Sequence, residues 1–107
     1  MIRAFLFAAS VLACTSSTST GISASDLTCP TDSALTYDSF GSEFLSEHCL
    51  SCHASKQTPN LATQAAVKTY KSKIISQAVT SSAMPPDGSV TLEERELLGE
   101  WLTCGAP

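Results

Sequence analysis

The sequence predicts a small all-α domain, and three observations support this prediction. Apolar residues recur at helical spacing near Phe40 and again along 62–79, which is the pattern of amphipathic helices. A third stretch opens with Thr91 followed by Leu-Glu-Glu, a sequence in which threonine and glutamate side chains cap the first turn of a helix. The chain has no alternating apolar–polar run of useful length, so we expect no sheet.

The first predicted helix runs from about residue 40 into a cysteine motif that starts at Cys49. Asp38 and Ser39 are its candidate N-caps, because short polar side chains accept hydrogen bonds from the free N–H groups of a first turn. Its apolar residues are Phe40, Phe44 and Leu45. We expect this face to pack on the core of the domain.

The second predicted helix covers 62–79, and the third begins after Thr91. Along the second, the apolar face comprises Val67, Tyr70, Ile74 and Ala78. Along the third, the inner face comprises Leu97, Leu98, Trp101 and Leu102. Gly99 interrupts this last helix at a cost of roughly 1 kcal/mol relative to alanine, and either a close approach by a neighbour or plain tolerance explains it.

The N-terminus predicts export. Arg3 precedes an uncharged, mainly apolar run over 4–13, which is too short to span a membrane and is typical of a signal peptide. The run ends in Val-Leu-Ala before Cys14, which resembles the processing site of bacterial lipoproteins. We therefore predict a lipoprotein-type signal peptide over 1–13 and a lipid-anchored, flexible tether over 14–32, rich in serine and threonine. The alternative is an ordinary secretory signal that is cleaved after Cys14.

The charge balance restricts the classes of partner. Arg3 is the only charged residue of the predicted signal, so the mature chain keeps five basic and ten acidic residues. A net negative charge argues against nucleic acid and against binding to anionic lipid surfaces. It favours instead a protein partner with a basic docking face.

Two of the five cysteines are left over once the lipid site and the cysteine motif are assigned. These are Cys29 and Cys104, one near each end of a folded domain that we predict over 33–107. In an oxidising compartment such thiols tend to pair, and a bridge closing a loop of about 75 residues would contribute ~4 kcal/mol in the chain-entropy account. Unpaired or intermolecular thiols are the alternative.

The motif Cys49-Leu-Ser-Cys52-His53 has the C-x-x-C-H spacing by which haem is attached covalently. Two cysteines on one helical turn place their sulfurs at about the separation of the two porphyrin vinyl groups, to which the thiols add. The next residue, His53, then lies below the iron as the proximal ligand. The motif predicts one haem c bound through Cys49 and Cys52.

Two other kinds of site use closely spaced cysteines. A thioredoxin-like thiol pair usually follows a buried strand, and no β-branched apolar run precedes Cys49. A tetrahedral zinc site needs two further cysteine or histidine ligands. Because His48 and His53 are the only histidines, a zinc site would need Cys29 or Cys104 as well.

Met84 is the candidate for the second axial ligand, because it is the only methionine that the predicted mature chain keeps. It lies 31 residues after His53 and directly before two prolines, which disfavour helix and hold the backbone extended. A methionine that only fills a gap in the core is the alternative. His48 directly precedes Cys49, so its ring would have to cross the haem plane, and we predict a position at the surface or at the edge of the site for it.

Together these residues resemble the class I cytochrome c family, in particular its small bacterial monohaem members. Gly41 stands eight residues before Cys49, where the family has a small residue at the crossing of its first and last helices. Pro59 followed by Asn-Leu resembles the family's segment whose proline carbonyl accepts the Nδ1–H of the proximal histidine, an interaction that fixes the ring. Met84 followed by Pro-Pro resembles the ligand loop, and 91–107 resembles the C-terminal helix.

The resemblance covers about residues 33–107 and implies an all-α, small cytochrome c fold of about three helices packed around one covalently bound haem. It implies haem contacts from Cys49, Cys52, His53, Pro59 and Met84, with His53 and Met84 on the iron. The chain departs from the family at Leu45, where an aromatic residue is common, and in having Cys29 and Cys104.

Ligation by histidine and methionine fills both axial positions and raises the reduction potential, so the implied role is that of an electron carrier and not an enzyme. We expect an exported monomer that is lipid-anchored on the periplasmic side of a bacterial membrane and exchanges electrons with redox proteins. A haem-based catalyst or gas sensor with a displaceable Met84 is one alternative. A haem-free thiol-redox lipoprotein is the other.

Overall fold

The computed structural model describes residues 19–54 and 57–107, and these residues form helices and turns without a strand. The predicted signal peptide, Cys14 and the first residues of the predicted tether lie outside this range. The five α-helices are α1 (Ser42–His48), α2 (Leu50–His53), α3 (Gln64–Thr69), α4 (Lys71–Ile74) and α5 (Leu92–Thr103). A 3-10 turn covers Ala24–Asp26, and π-helical turns cover Tyr37–Gly41 and Ile75–Val79. The domain is therefore all-α, as predicted, and no helix within the described ranges is long and apolar enough to cross a membrane.

The first helical stretch begins earlier than predicted. Thr36, in extended conformation, accepts a hydrogen bond at its hydroxyl from the Ser39 N–H, and the Ser39 hydroxyl accepts one from the Thr36 N–H, each at 3.0 Å. The prediction of Asp38 or Ser39 as N-cap is therefore wrong, because the hydroxyl of Thr36 already reaches the first turn. The stretch then continues through the π-helical turn and α1 to the cysteine motif.

The second stretch is not one continuous helix. Tyr70 leaves helical geometry, with φ −96° and ψ 13°, and separates α3 from α4. Val67 and Ala78 are buried as predicted, whereas Tyr70 is 39% exposed. Tyr70 therefore does not belong to the buried apolar face, and it stands at the break between the two helices.

The predicted capping box opens α5. The Glu94 N–H donates to the Thr91 hydroxyl, and the Thr91 N–H donates to the Glu94 carboxylate, each at 3.2 Å. Three residues of the predicted inner face are buried, namely Leu98, Trp101 and Leu102. Leu97 is instead exposed, and Arg95 occupies the buried face in its place, since residues 95, 98 and 102 lie three and four apart.

Two glycines allow other elements to approach α5 closely. Gly41 lies so near Trp101 that a Cβ atom at this position would overlap the indole ring. At Gly99, a Cβ atom would lie 2.7 Å from Leu27 Cδ2 and 3.0 Å from Val79 Cγ1. The close approach of neighbouring residues, and not mere tolerance, therefore explains Gly99.

The N-terminal segment over 19–29 is attached to the domain. Thr20 donates hydrogen bonds from its N–H to the Thr80 carbonyl at 3.2 Å and from its hydroxyl to the Val79 carbonyl at 2.6 Å. Ser19 and Ser81 form an isolated antiparallel bridge. At the other end of this segment Cys29 forms a disulfide with Cys104, whose Cα atom is 4.9 Å away. The part of the predicted tether that the structure describes thus makes specific contacts with the helices.

Candidate functional site

The cysteine motif forms the single turn of α2, with Cys49 as its N-cap, directly after α1. The carbonyl of Cys49 accepts hydrogen bonds from the N–H groups of Cys52 at 3.2 Å and His53 at 2.9 Å. Both cysteines are free thiols, Cys49 half-buried and Cys52 exposed. The turn therefore brings two thiols and one imidazole together on a single short element, with neither thiol used in a disulfide.

The imidazole of His53 is held by the loop that returns to it. Its Nδ1 lies 2.9 Å from the Pro59 carbonyl oxygen. A carbonyl oxygen only accepts, so Nδ1 carries the proton and Nε2 keeps its lone pair for a metal. The Leu61 N–H donates to the His53 carbonyl at 2.7 Å and fixes the same loop a second time. The contact that the resemblance implies between Pro59 and His53 is thus present.

Met84 lies on the loop that follows the second helical stretch, and it lines a cavity together with the cysteine motif. Its N–H donates to the carbonyl of Gln77 at 2.9 Å, so the chain turns back on the end of the second helical stretch. The Met84 side chain is 40% exposed and lines the cavities described next. It is not a core methionine, because a residue that fills a gap in the interior would be buried.

Two adjoining cavities, of about 440 Å³ and about 150 Å³, lie between the motif and the Met84 loop. Five residues line both of them, namely Cys49, His53, Thr58, Ala78 and Met84. The larger cavity falls within the range of roughly 300–1,000 Å³ that is usual for binding sites of small molecules and cofactors. The structure thus brings four of the five predicted site residues to the larger cavity, and the fifth, Pro59, lines the smaller one.

The donor set of this site fits a c-type haem. Two thiols on one turn can form the two covalent links, an imidazole with a fixed Nδ1–H can bind iron through Nε2, and a thioether lies on the same cavity. A zinc site fits less well. In the described part of the chain no three histidine, cysteine or acidic side chains come together to hold a metal ion, and Cys29 and Cys104 are already joined to each other.

The ionisation of Cys49 bears on the thiol-redox alternative. Burial raises the pKa of the Cys49 thiol to about 11. Because the thiolate is the reactive form in thiol–disulfide exchange, this thiol is a poor nucleophile near neutral pH. The environment of Cys49 is therefore unlike that of a catalytic thiol pair.

His48 also lines the larger cavity, but both of its ring nitrogens have partners on the surface. Nδ1 lies 3.0 Å from the Ser89 hydroxyl, and Nε2 lies 3.1 Å from the Glu94 carboxylate. The ring thus links the end of α1 to the start of α5. It occupies a position at the edge of the site, as predicted from its place directly before Cys49.

Arg95 is a residue of the site that the sequence patterns did not single out. It lines the larger cavity, and its Nη1 donates to the carbonyl of Met84 at 2.8 Å. Burial lowers the pKa of Arg95, but a guanidinium stays protonated in a protein. The sequence feature that could have identified Arg95 is its spacing from Leu98 and Leu102, which places a cation on the inner face of α5.

Comparison of the chain with protein-family models, with curated proteins and with solved structures finds no match. The cavity and the residues around it are therefore the basis for the function proposed below.

Proposed function

We propose that this protein is a monohaem c-type cytochrome that carries single electrons outside the cytoplasm. The observation that carries the proposal is the joint position of Cys49, Cys52, His53 and Met84 on one cavity, with His53 Nδ1 engaged by Pro59. Haem c bound at this cavity would supply an iron centre that cycles between the ferric and ferrous states.

The chain's own residues would attach, orient and shield that group. Cys49 and Cys52 would form the two thioether links, and the helical turn keeps their spacing fixed. The Pro59 carbonyl holds the His53 ring in one orientation and keeps the proton on Nδ1, which would leave Nε2 as the atom that binds the iron. Met84, on a loop that Gln77 and Arg95 hold at its backbone, would complete the ligand set.

A filled ligand set supports a carrier over a catalyst. If His53 and Met84 both bound the metal, they would leave no ligand position for a substrate, and electron transfer would require little rearrangement of the protein. The cavity opens to solvent beside Cys52 and Asp87, which both line it and are exposed. A redox partner could therefore reach the edge of the bound group without penetrating the domain.

We further propose that the chain is exported and anchored through lipid on Cys14. The proposal rests on the charged and apolar pattern of 1–13 and on the small residue before Cys14. The Cys29–Cys104 disulfide supports the export, though not the lipid anchor, because structural disulfides persist in oxidising compartments.

The intact mass and the visible spectrum of the mature protein test both proposals. The protein should be purified from a host that attaches c-type haem and measured before and after reduction. We expect the polypeptide from Cys14 plus one haem and acyl chains, with two further hydrogens after reduction of the disulfide. A Met84→Ala variant is the matched control: it should keep the haem mass, lose the far-red band of sulfur-bound ferric haem, and bind carbon monoxide rapidly when reduced.

A chain that carries no haem in such a host would refute the electron-carrier proposal and favour the thiol pair. A wild-type protein that binds carbon monoxide as fast as Met84→Ala would instead favour a gas-binding role. An unacylated N-terminus would refute the lipid anchor alone.

A further inference from the structure

Arg95 is the only charged side chain that the structure buries among the residues it describes, with 4% of its surface exposed. It lies in the first half of α5, on the face that carries Leu98 and Leu102. Its neighbours in the described ranges include no carboxylate that forms an ion pair with it, since the ion pairs found there involve His48. A buried cation in such a position needs an explanation beyond packing.

One nitrogen of Arg95 links both ends of the loop that carries Met84. Nη1 lies 2.6 Å from the carbonyl oxygen of Ala78, 2.8 Å from that of Met84 and 3.4 Å from that of Ser81. Ala78 belongs to the π-helical turn that ends the second stretch, and Met84 is the last residue before the two prolines. Arg95 thus closes the segment 78–84 from the side of α5.

Packing alone does not account for this arrangement. A guanidinium loses its hydration on burial, and an apolar residue of similar size in such a place is often equally stable or more stable. The carbonyl oxygens offset part of this cost, and they do so only while the loop keeps its present shape. The cation therefore favours one conformation of the loop over the alternatives.

We propose that Arg95 is the positioning residue for Met84 as iron ligand, an inference that rests on the proposed cytochrome function. By holding the Met84 carbonyl, Arg95 keeps the thioether on the cavity and makes its displacement costly. Its positive charge beside the cavity would also disfavour the ferric state of a bound haem relative to the ferrous state, and so would raise the reduction potential.

The test compares holoprotein carrying Arg95→Met, Arg95→Gln or Arg95→Lys with the wild type. Haem content by mass, the far-red band of the ferric protein, the rate of carbon monoxide binding to the ferrous protein and the reduction potential are measured for each. Arg95→Met should keep the covalent haem, lose most of the far-red band and have a lower potential. It should bind carbon monoxide about tenfold faster or more, because hydrogen bonds from a charged donor shift an open–closed equilibrium by at least that factor.

Arg95→Lys keeps a cation and a nitrogen donor, so it should restore the potential and part of the band. Arg95→Gln keeps a donor without the charge, so it should retain more of the band than Arg95→Met but have a lower potential than Arg95→Lys. Thr91→Ala is the control for a purely structural effect, since it weakens the first turn of α5 without contact with the loop. It should lower the unfolding free energy and leave the band, the carbon monoxide rate and the potential unchanged.

An Arg95→Met protein with haem, a full far-red band and the wild-type rate of carbon monoxide binding would overturn the proposal. A Thr91→Ala protein whose band, carbon monoxide rate and potential change as much as those of Arg95→Met would overturn it as well. If Arg95→Met does not accumulate as folded protein, Arg95→Gln decides: a wild-type rate and potential in that variant overturn the proposal. A wild type without covalent haem would refute the proposed function, and the role of Arg95 with it.

Discussion

The Cα atom of Gly41 lies against the indole ring of Trp101, and there is no space between them for a methyl group. Trp101 is fully buried and also contacts the ring of Phe40, at a centroid distance of 5.9 Å. The contact joins the start of the first helical stretch to α5. It therefore determines how closely the first helical stretch and α5 approach each other.

Gly41→Ala should destabilise the protein by about 1–3 kcal/mol, the usual effect of forcing extra volume into a packed core. The Trp101 ring is rigid and enclosed, so the backbone of the first stretch would have to move. Gly99→Ala is the matched variant, because the atom it meets first is Leu27 Cδ2, the end of a flexible side chain. There the gain in helix propensity, roughly 1 kcal/mol, should offset part of the crowding, although the added methyl group also lies 3.0 Å from Val79 Cγ1.

Urea unfolding of the two glycine variants, each with haem attached, measures the difference. We expect Gly41→Ala to unfold at a clearly lower urea concentration than Gly99→Ala. Equal midpoints would show that the first stretch moves away from Trp101 without cost.

The disulfide between Cys29 and Cys104 joins residues 75 apart in sequence. In the chain-entropy account, its loss in a Cys29→Ser/Cys104→Ser variant should cost ~4 kcal/mol, because the unfolded chain gains freedom. Neither cysteine lines the cavities at the candidate site. The variant should therefore keep the wild-type visible spectrum in native buffer and show a lower unfolding midpoint in urea; an altered far-red band before unfolding would contradict this separation.

The aromatic content of the predicted domain is low, with one tryptophan, two tyrosines and two of the four phenylalanines of the whole chain. A small domain with so few large side chains gains little from its core alone. Cys49→Ser/Cys52→Ser, which cannot attach haem, should therefore lack a cooperative thermal transition by circular dichroism. Ser51→Ala, between the two cysteines, is the control and should melt like the wild type. A native-like cooperative transition in the double variant would show that the polypeptide folds without the cofactor.

Glu94 should make the stability of the protein depend on acid pH. Hydrogen bonds from the backbone and hydroxyl of Thr91, together with His48, lower the pKa of the Glu94 carboxyl. The pKa of Glu94 is lower in the folded than in the unfolded state, so the carboxylate contributes its full stabilisation at pH values above the unfolded-state pKa. This contribution is lost as the pH falls through the folded-state pKa. The unfolding free energy should therefore decrease below about pH 4.5, the ordinary value for a glutamate.

Glu94→Gln removes this titration, so its unfolding free energy should depend less steeply on pH in the acid range. Thr91→Ala removes one donor and should reduce the slope in part. Urea titrations at several values of pH measure the slopes, and identical slopes for all three proteins would exclude Glu94 as a source of the acid sensitivity.

Contacts between residues that are close along the chain could be predicted from the sequence. Cys49, Cys52 and His53 share one turn, Thr91 and Glu94 cap each other three residues apart, and Pro59 lies six residues from His53. Spacing along a helix or a short loop determines such contacts almost completely. The helical class of the domain could be predicted for the same reason.

Tertiary packing decides the features that the patterns did not predict. Arg95 reaches carbonyl groups up to 17 residues away. The helix breaks at Tyr70 although no proline or glycine stands at that point. On α5, Leu97 is exposed and Arg95 is buried. Hydrophobic periodicity treats arginine as a surface residue, so it placed Leu98, Trp101 and Leu102 on the buried face correctly but added Leu97 and left out Arg95.

The bridge between Ser19 and Ser81 limits the range of movement of the whole domain if Cys14 carries lipid. Five peptide units separate Cys14 from Ser19, and even fully extended they reach only roughly 17 Å. Ser81 lies three residues before Met84, which lines the cavity. The lipid would therefore keep this side of the cavity close to the bilayer surface. Such a domain would not diffuse between distant partners, and it would exchange electrons with proteins that share its membrane.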